Sequence, residues 1–204
     1  MPSYKLTYFD GKGRGENARL MFVKAGVAFE DKRITFEEWG ALKPTTPYGS
    51  LPVLEVDGVA IGQSFTIVNF LAKQFGLLGD TDIEAALVNG ICQSLDDLND
   101  AVISAFFNTD EAKKATAIKD LKETKIPGVC NNLKRIMEKH GSGFLVGSKM
   151  TAADIYFSNY IDGTKIVGIE ADLSAFPKLK EVKAKVEADP KIAEWIKKRP
   201  VTPF

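Results

Sequence analysis

The chain has 204 residues, 45% of them hydrophobic and 26% charged. That is enough apolar side chain for a sizeable core, in one large domain or two small ones, and it excludes general disorder. Basic and acidic residues number 27 each, balanced on both sides of Asp80, so neither half carries the positive surplus that nucleic-acid binding needs.

With one histidine and two well-separated cysteines, Cys92 and Cys130, neither a multi-histidine metal centre nor a disulfide framework can form. The opening residues show no apolar signal core, and no run approaches about 18 uninterrupted apolar residues. The expectation is a soluble chain of a reducing, cytoplasmic compartment, with no nucleic-acid or membrane partner and no required metal. Both cysteines fall in helical patterns and are expected to pack in the core.

Through residue 80 the pattern changes every few positions. Residues 4–9 alternate as a strand, and a turn with Gly11, Gly13 and Gly15 follows. The spacing predicts a helix over 16–25 ending at Gly26, a strand over 29–34 and a helix over 35–42. Pro44, Pro47 and Gly49 then break the chain. Strands over 52–56 and 59–61, joined by Asp57-Gly58, read as a hairpin, and a helix follows from Ser64 to Phe75. The order βαβ then ββα describes an α/β layer. Beyond residue 80 the strand signals vanish. Leu87, Ile91, Leu95, Leu98, Val102 and Phe106 keep one apolar face along a long helix. A second helical stretch carries Ile118 to Ile136, with Pro127 predicting a kink. Thr151 and Asp154 have capping-box spacing ahead of a helix over 152–165. Two shorter helices are expected over 176–188 and 190–198.

Several motifs admit a bland and a chemical reading. The glycine turn fails both nucleotide patterns, because Glu16 stands where the dinucleotide motif needs its third glycine and Gly13 follows Lys12 where a phosphate loop needs Ser or Thr. It is better read as a flexible turn presenting Arg14. Tyr8 ends the first strand, at the sheet edge where open α/β sheets bind ligands. Its hydroxyl and the Arg14 charge could stabilise an anion such as a thiolate; a half-buried strand tyrosine beside a solvated arginine is the plain alternative. Leu51-Pro52 is either a trans proline at a strand start or a cis turn that exposes the Leu51 backbone. Gln63-Ser64 is either a simple helix cap or a carboxylate site at a helix N-terminus. Asp96, Asp97 and Asp100 read as a solvated acidic face, with a hard-metal site as the weaker alternative.

Taken in order, these motifs resemble the sigma-class glutathione transferases. The resemblance is carried by Tyr4–Phe9, Gly13-Arg14-Gly15-Glu16, Trp39, Lys43-Pro44, the stretch from Pro47 to Gly58, Gln63-Ser64, Asp96-Asp97, the Thr151/Asp154 box and the closing stretch from Trp195 to Pro200. It runs from about Ser3 to the end of the chain. It implies an α/β thioredoxin-like N-terminal domain over 1–79 that binds glutathione. An all-α helical domain over 81–204 would carry much of the electrophile pocket, and the protein would assemble as a homodimer. Catalysis would fall to Tyr8 and Arg14. Glutathione would be the co-substrate, held by Tyr8, Arg14, Trp39, Lys43, Leu51 beside a cis Pro52, Gln63, Ser64 and, across the dimer, Asp97. Phe9, Arg14, Asn99, Phe106, Tyr156 and Phe204 would border the electrophile.

The implied activity is conjugation of the glutathione thiolate to small hydrophobic electrophiles, a detoxification reaction. The alternatives are a glutathione-dependent isomerase converting prostaglandin H2 to D2, and a non-enzymatic crystallin-like or ligand-carrier relative. Ser104 and Gln93 stand where the vertebrate isomerases have a tryptophan and an acidic residue; the missing tryptophan removes a pocket wall, and the missing carboxylate weakens the case for a divalent-metal site at the interface. Asn69 and Tyr48 also depart from the usual arginine and phenylalanine, at positions that bear on packing or the interface.

Overall fold

The computed structural model describes residues 2–202; Phe204, expected beside the electrophile, lies outside the described residues. By internal contacts the chain divides into two units, one running to Gly76 and resumed from Asp189, the other Leu77–Ala188.

The first unit is built on a four-stranded sheet in the order β2-β1-β3-β4. Strand β1 (Tyr4–Phe9) lies in the interior, so Tyr4, Leu6, Thr7 and Tyr8 are all buried. Helix α1 (Glu16–Ala25) crosses to β2 (Glu30–Ile34), which runs parallel to β1, and α2 (Phe36–Leu42) follows under a Thr35/Glu38 capping box. Strands β3 (Val53–Val56) and β4 (Val59–Gly62) are antiparallel, and α3 (Ser64–Gln74) completes the thioredoxin-like layer. The hairpin between β3 and β4 turns on Asp57 and Gly58, both at positive φ (49° and 84°), as the type I′ geometry of an Asp-Gly turn requires. Helix α1 packs against α3, and Phe22 sits among Tyr4, Phe29 and Phe75 at ring-centre distances of 4.5–5.7 Å. Phe22, fully buried, stabilises the layer by roughly 1.5–3 kcal/mol relative to exposure, and the half-buried Phe29 and Phe75 by less.

The second unit is helical. Helix α4 (Asp82–Phe106) is capped by Thr81 and Glu84, and its expected apolar face is buried at Ile91, Leu95, Leu98 and Val102. Helix α5 (Glu111–Asp120) joins α6 (Ile126–His140) through a π-helical turn, Leu121–Lys125. The expected irregularity at Pro127 takes this form: Pro127 has no N–H for the carbonyl one turn earlier, and a wider turn before it restarts the helix with proline in its first positions, where no donor is needed. Helix α7 (Ala152–Gly163) is buried from Ala152 to Ser158 without a break and packs on α4 and on α8 (Pro177–Glu187). Cys92 and Cys130 are buried, and burial raises both thiols, Cys130 to about 11.

The last helix, α9 (Pro190–Lys198), expected within the helical segment over 81–204, clusters by internal contacts with the first unit and packs on α1. Lys24 of α1 holds Asp189 at 2.5 Å, and Trp195 lies against Phe29. Among the described residues no helix is long and apolar enough to cross a membrane, and no group of three or more His, Cys, Asp or Glu side chains could hold a metal ion.

Candidate functional site

Strand register brings the candidate residues of the first unit to one edge of the sheet. Thr7 pairs with Val53, and Val53 pairs with Gly62. The residues just beyond those pairs are Tyr8 on β1, Leu51-Pro52 ahead of β3 and Gln63-Ser64 after β4. On the other side Phe9 pairs with Ile34, from which the chain enters Thr35 and α2 with Trp39 and Lys43. Four separate stretches of sequence therefore meet at one sheet edge because a single hydrogen-bond register requires it.

Tyr8 is 8% exposed. Its hydroxyl oxygen accepts the Arg14 backbone N–H at 3.1 Å. A phenol can accept and donate at once, so that bond leaves the hydroxyl proton for an acceptor in the site. Burial pushes the phenol above its ordinary value, opposed by the Arg14 N–H and by the Arg14 and Arg19 charges. Tyr8 is therefore a protonated donor at neutral pH. The glycine turn fixes its place: a Cβ at Gly15 would lie 2.7 Å from the Tyr8 ring, and one at Gly13 would lie 2.5 Å from the hydroxyl oxygen. Only glycines let the turn close on this side chain.

The flanking residues are ordered by aromatic contacts. Phe9 stacks on Phe36 with ring centres 4.5 Å apart and meets Trp39 edge-on at 5.9 Å, which places α2 beside the end of β1. Lys43 is exposed at the C-cap of α2. The Leu51-Pro52 peptide is cis, which decides between the two readings left open by the local sequence. Gln63 takes a positive φ of 71°, and no side chain caps α3, so the first amides of that helix lack a side-chain acceptor. The fold thus brings Tyr8, Phe9, Arg14, Trp39, Lys43, Leu51, Pro52, Gln63 and Ser64 to one region.

The remaining candidates belong to the helical unit. Asp97 is exposed on α4, whereas its neighbour Asp96 accepts the Tyr160 hydroxyl at 2.8 Å. Asn99 is buried, and its side-chain nitrogen has no hydrogen-bond partner among the described residues. Phe106 is half-buried against Phe107, and Tyr156 is fully buried beside Tyr160. Sequence reasoning missed the buried charges next to Tyr8. Arg19 lies with its guanidinium carbon 5.8 Å from the Tyr8 ring centre, and Glu16, Trp195 and Arg199 are linked to it. The readable signal was a Glu/Arg pair one turn apart on α1, beside the apolar run Leu20–Val23.

Residues 4–73 match the glutathione S-transferase N-terminal domain, and residues 96–199 match the glutathione S-transferase C-terminal domain. The chain belongs to the glutathione S-transferase family and is an enzyme of that family. It is 40% identical to glutathione S-transferase 1 of Ascaris suum over the whole of both chains, and 39% identical to the hematopoietic prostaglandin D synthase of Gallus gallus over 99% of each. Among solved structures, a nematode-specific transferase of C. elegans superposes with a TM-score of 0.89 at 40% identity, covering all of both chains. A hookworm transferase from Necator americanus described as monomeric superposes at 0.87 with 33% identity, covering 99% of this chain and all of the other.

Proposed function

We propose that the chain is a cytoplasmic, sigma-type glutathione transferase that ionises the glutathione thiol at Tyr8 and conjugates it to small hydrophobic electrophiles. The observation that carries this reading is the Tyr8 hydroxyl, which accepts from Arg14 and keeps its own proton for an acceptor. A free thiol with a pKa near 8.5 is only a few per cent ionised at neutral pH, and the thiolate is the nucleophile. Lowering that pKa by about two units requires about 2.7 kcal/mol of preferential stabilisation of the anion. A buried hydroxyl donor next to a permanent cation is suited to supply it.

In this reading the peptide lies along the sheet edge. Trp39 and Lys43 hold the glycyl carboxylate, and the Leu51 backbone beside cis Pro52 pairs with the cysteinyl backbone as an added strand. Gln63, Ser64 and the open amides of α3 hold the γ-glutamyl end. In a homodimer, Asp97 of one subunit reaches the γ-glutamyl amine bound by the other. Phe9 and Arg14 face the electrophile.

Tyr8→Phe should lower conjugation of a chloronitrobenzene roughly 100-fold at pH 6.5, as expected for a shift of about two pH units, with little change in the affinity for S-methylglutathione. Unchanged turnover would remove Tyr8 from the mechanism. Sedimentation should show a dimer; a monomer that binds glutathione as tightly as its Asp97→Ala variant would remove Asp97 from the site. Isomerisation of a prostaglandin endoperoxide is the second reading, supported by the likeness to the chicken synthase, and product analysis with the endoperoxide distinguishes it.

A further inference from the structure

The charges beside the Tyr8 ring form a chain that reaches the last helix. Glu16 and Arg19, one turn apart on α1, are both completely buried. Arg19 is held from three directions. Its Nε donates to Asp31 of β2 at 2.8 Å, and its Nη1 donates to the Gly11 carbonyl at 2.7 Å and to Glu16 Oε2 at 3.2 Å. Its buried Nη2 has no hydrogen-bond partner among the described residues. The other oxygen of Glu16 serves α9: Oε1 accepts from Trp195 Nε1 at 2.8 Å and from Arg199 Nη1 at 3.0 Å. One carboxylate is shared between a cation next to the Tyr8 ring and two donors near the end of the chain.

Burying a charge pair costs several kcal/mol and often adds nothing to stability over an apolar packing. The placement of this one is more informative. Arg19 ties down the Gly11 carbonyl at the start of the turn that packs on Tyr8, and its charge lies near the Tyr8 ring. We propose that Glu16, Trp195 and Arg199 are positioning residues for Tyr8: by taking part of the Glu16 carboxylate, the last helix sets how much of the Arg19 charge reaches the phenol. The proposal rests on the reading of Tyr8 as the thiol-ionising hydroxyl.

The sign follows from the charges around the ring. Arg14 and Arg19 are the cations acting on it directly; Glu16 and Asp31 offset Arg19, Arg33 offsets Asp31, and Arg199 offsets Glu16. Removing Arg199 leaves Arg19 as the one cation paired with Glu16, with Trp195 still donating to Oε1, so the site becomes less positive and both the phenol and a bound thiol should ionise at higher pH. Neutralising Glu16 acts in the opposite direction. A network with only a structural role would impair the site in the same direction in both cases.

The experiment titrates the Tyr8 phenolate by its ultraviolet absorbance in ligand-free protein, taking each variant against the same variant carrying Tyr8→Phe. Arg199→Met should raise the midpoint by about half a pH unit and lower kcat/KM about threefold at pH 6.5. The kinetic loss should vanish at alkaline pH, with KM for glutathione unchanged. Arg199→Lys should restore the wild-type midpoint, and Glu16→Gln should lower it. If Arg199→Met does not fold, Trp195→Phe, which keeps an aromatic ring against Phe29, provides the same measurement. An unmoved midpoint, or movement of Arg199→Met and Glu16→Gln in the same direction, would overturn the proposal. Because the titration needs no glutathione, it stands apart from the conjugation assay: a wild type that fails to conjugate would defeat the transferase reading and leave this result intact.

Discussion

Two loops in this protein each end at the start of a helix and enclose a polar side chain, and they use it in opposite ways. In the first unit the turn from Gly11 to Gly15 closes on Tyr8. In the helical unit the stretch from Gly141 to Thr151 closes on Asp154, which is fully buried. Asp154 accepts the Leu145 N–H at 2.8 Å, the Thr151 N–H at 2.7 Å and the Thr151 hydroxyl at 2.8 Å. Burial raises its carboxyl above the ordinary value, and those three donors oppose the rise. Tyr8, nearly as buried, accepts one N–H at 3.1 Å and keeps its own proton. Burial alone does not separate a structural polar group from a reactive one. The hydrogen-bonding capacity left after folding does.

The largest effect that would test this contrast is Asp154→Ala. It strands three donors that the fold has buried or turned away from water, and each unsatisfied donor costs about 1–3 kcal/mol. With partial relaxation the expected loss is about 3–4 kcal/mol in urea unfolding, several times the cost of an ordinary cap deletion. The folded fraction should keep its kcat and its KM for glutathione. A loss below about 1 kcal/mol would show that water replaces the carboxylate and that the second loop is not a closed structural unit. Tyr8→Phe should show the reverse pattern, a large loss of turnover with a stability change within about 1 kcal/mol.

The sequence made the two loops legible to different degrees. The Thr151/Asp154 spacing announced a capping box, and the structure forms one, because such a box is local and three residues suffice to specify it. The same rule would have located the Thr35/Glu38 and Thr81/Glu84 boxes, which were there to be read. The strands, the Asp57-Gly58 hairpin and the apolar face of α4 were likewise local patterns. The assembly around Tyr8 was not. Arg19 on α1 looks like a residue for solvent, and only the return of α9 shows why it is buried with Glu16. Those partners lie 179 and 183 residues from Glu16, a separation over which no periodicity carries information. The cis state of Leu51-Pro52 was also undecided by local sequence, since it is set by what surrounds the turn.

A smaller effect sharpens the comparison through the glycines. Gly141 is hemmed in by backbone: an added Cβ would meet the Phe144 carbonyl oxygen at 2.2 Å and the Met137 carbonyl at 2.8 Å. Gly15 is hemmed in by the Tyr8 ring itself. Gly15→Ala should therefore act on the site more than on the fold. The ring cannot swing freely, because it is buried in the interior of the sheet layer, so the turn and the side chain must share the displacement. Overpacking of this kind costs about 1–3 kcal/mol. A displacement of about 1 Å at a reacting group can cost on the order of 100-fold in rate. Gly90→Ala, where an added methyl meets nothing within 4 Å on an exposed helical face, should instead stabilise by roughly 0.5–1 kcal/mol through helix propensity. If Gly15→Ala keeps full turnover and loses only stability, the glycine turn serves the sheet and not the hydroxyl, and the distinction between the two loops fails on the side where it matters for chemistry.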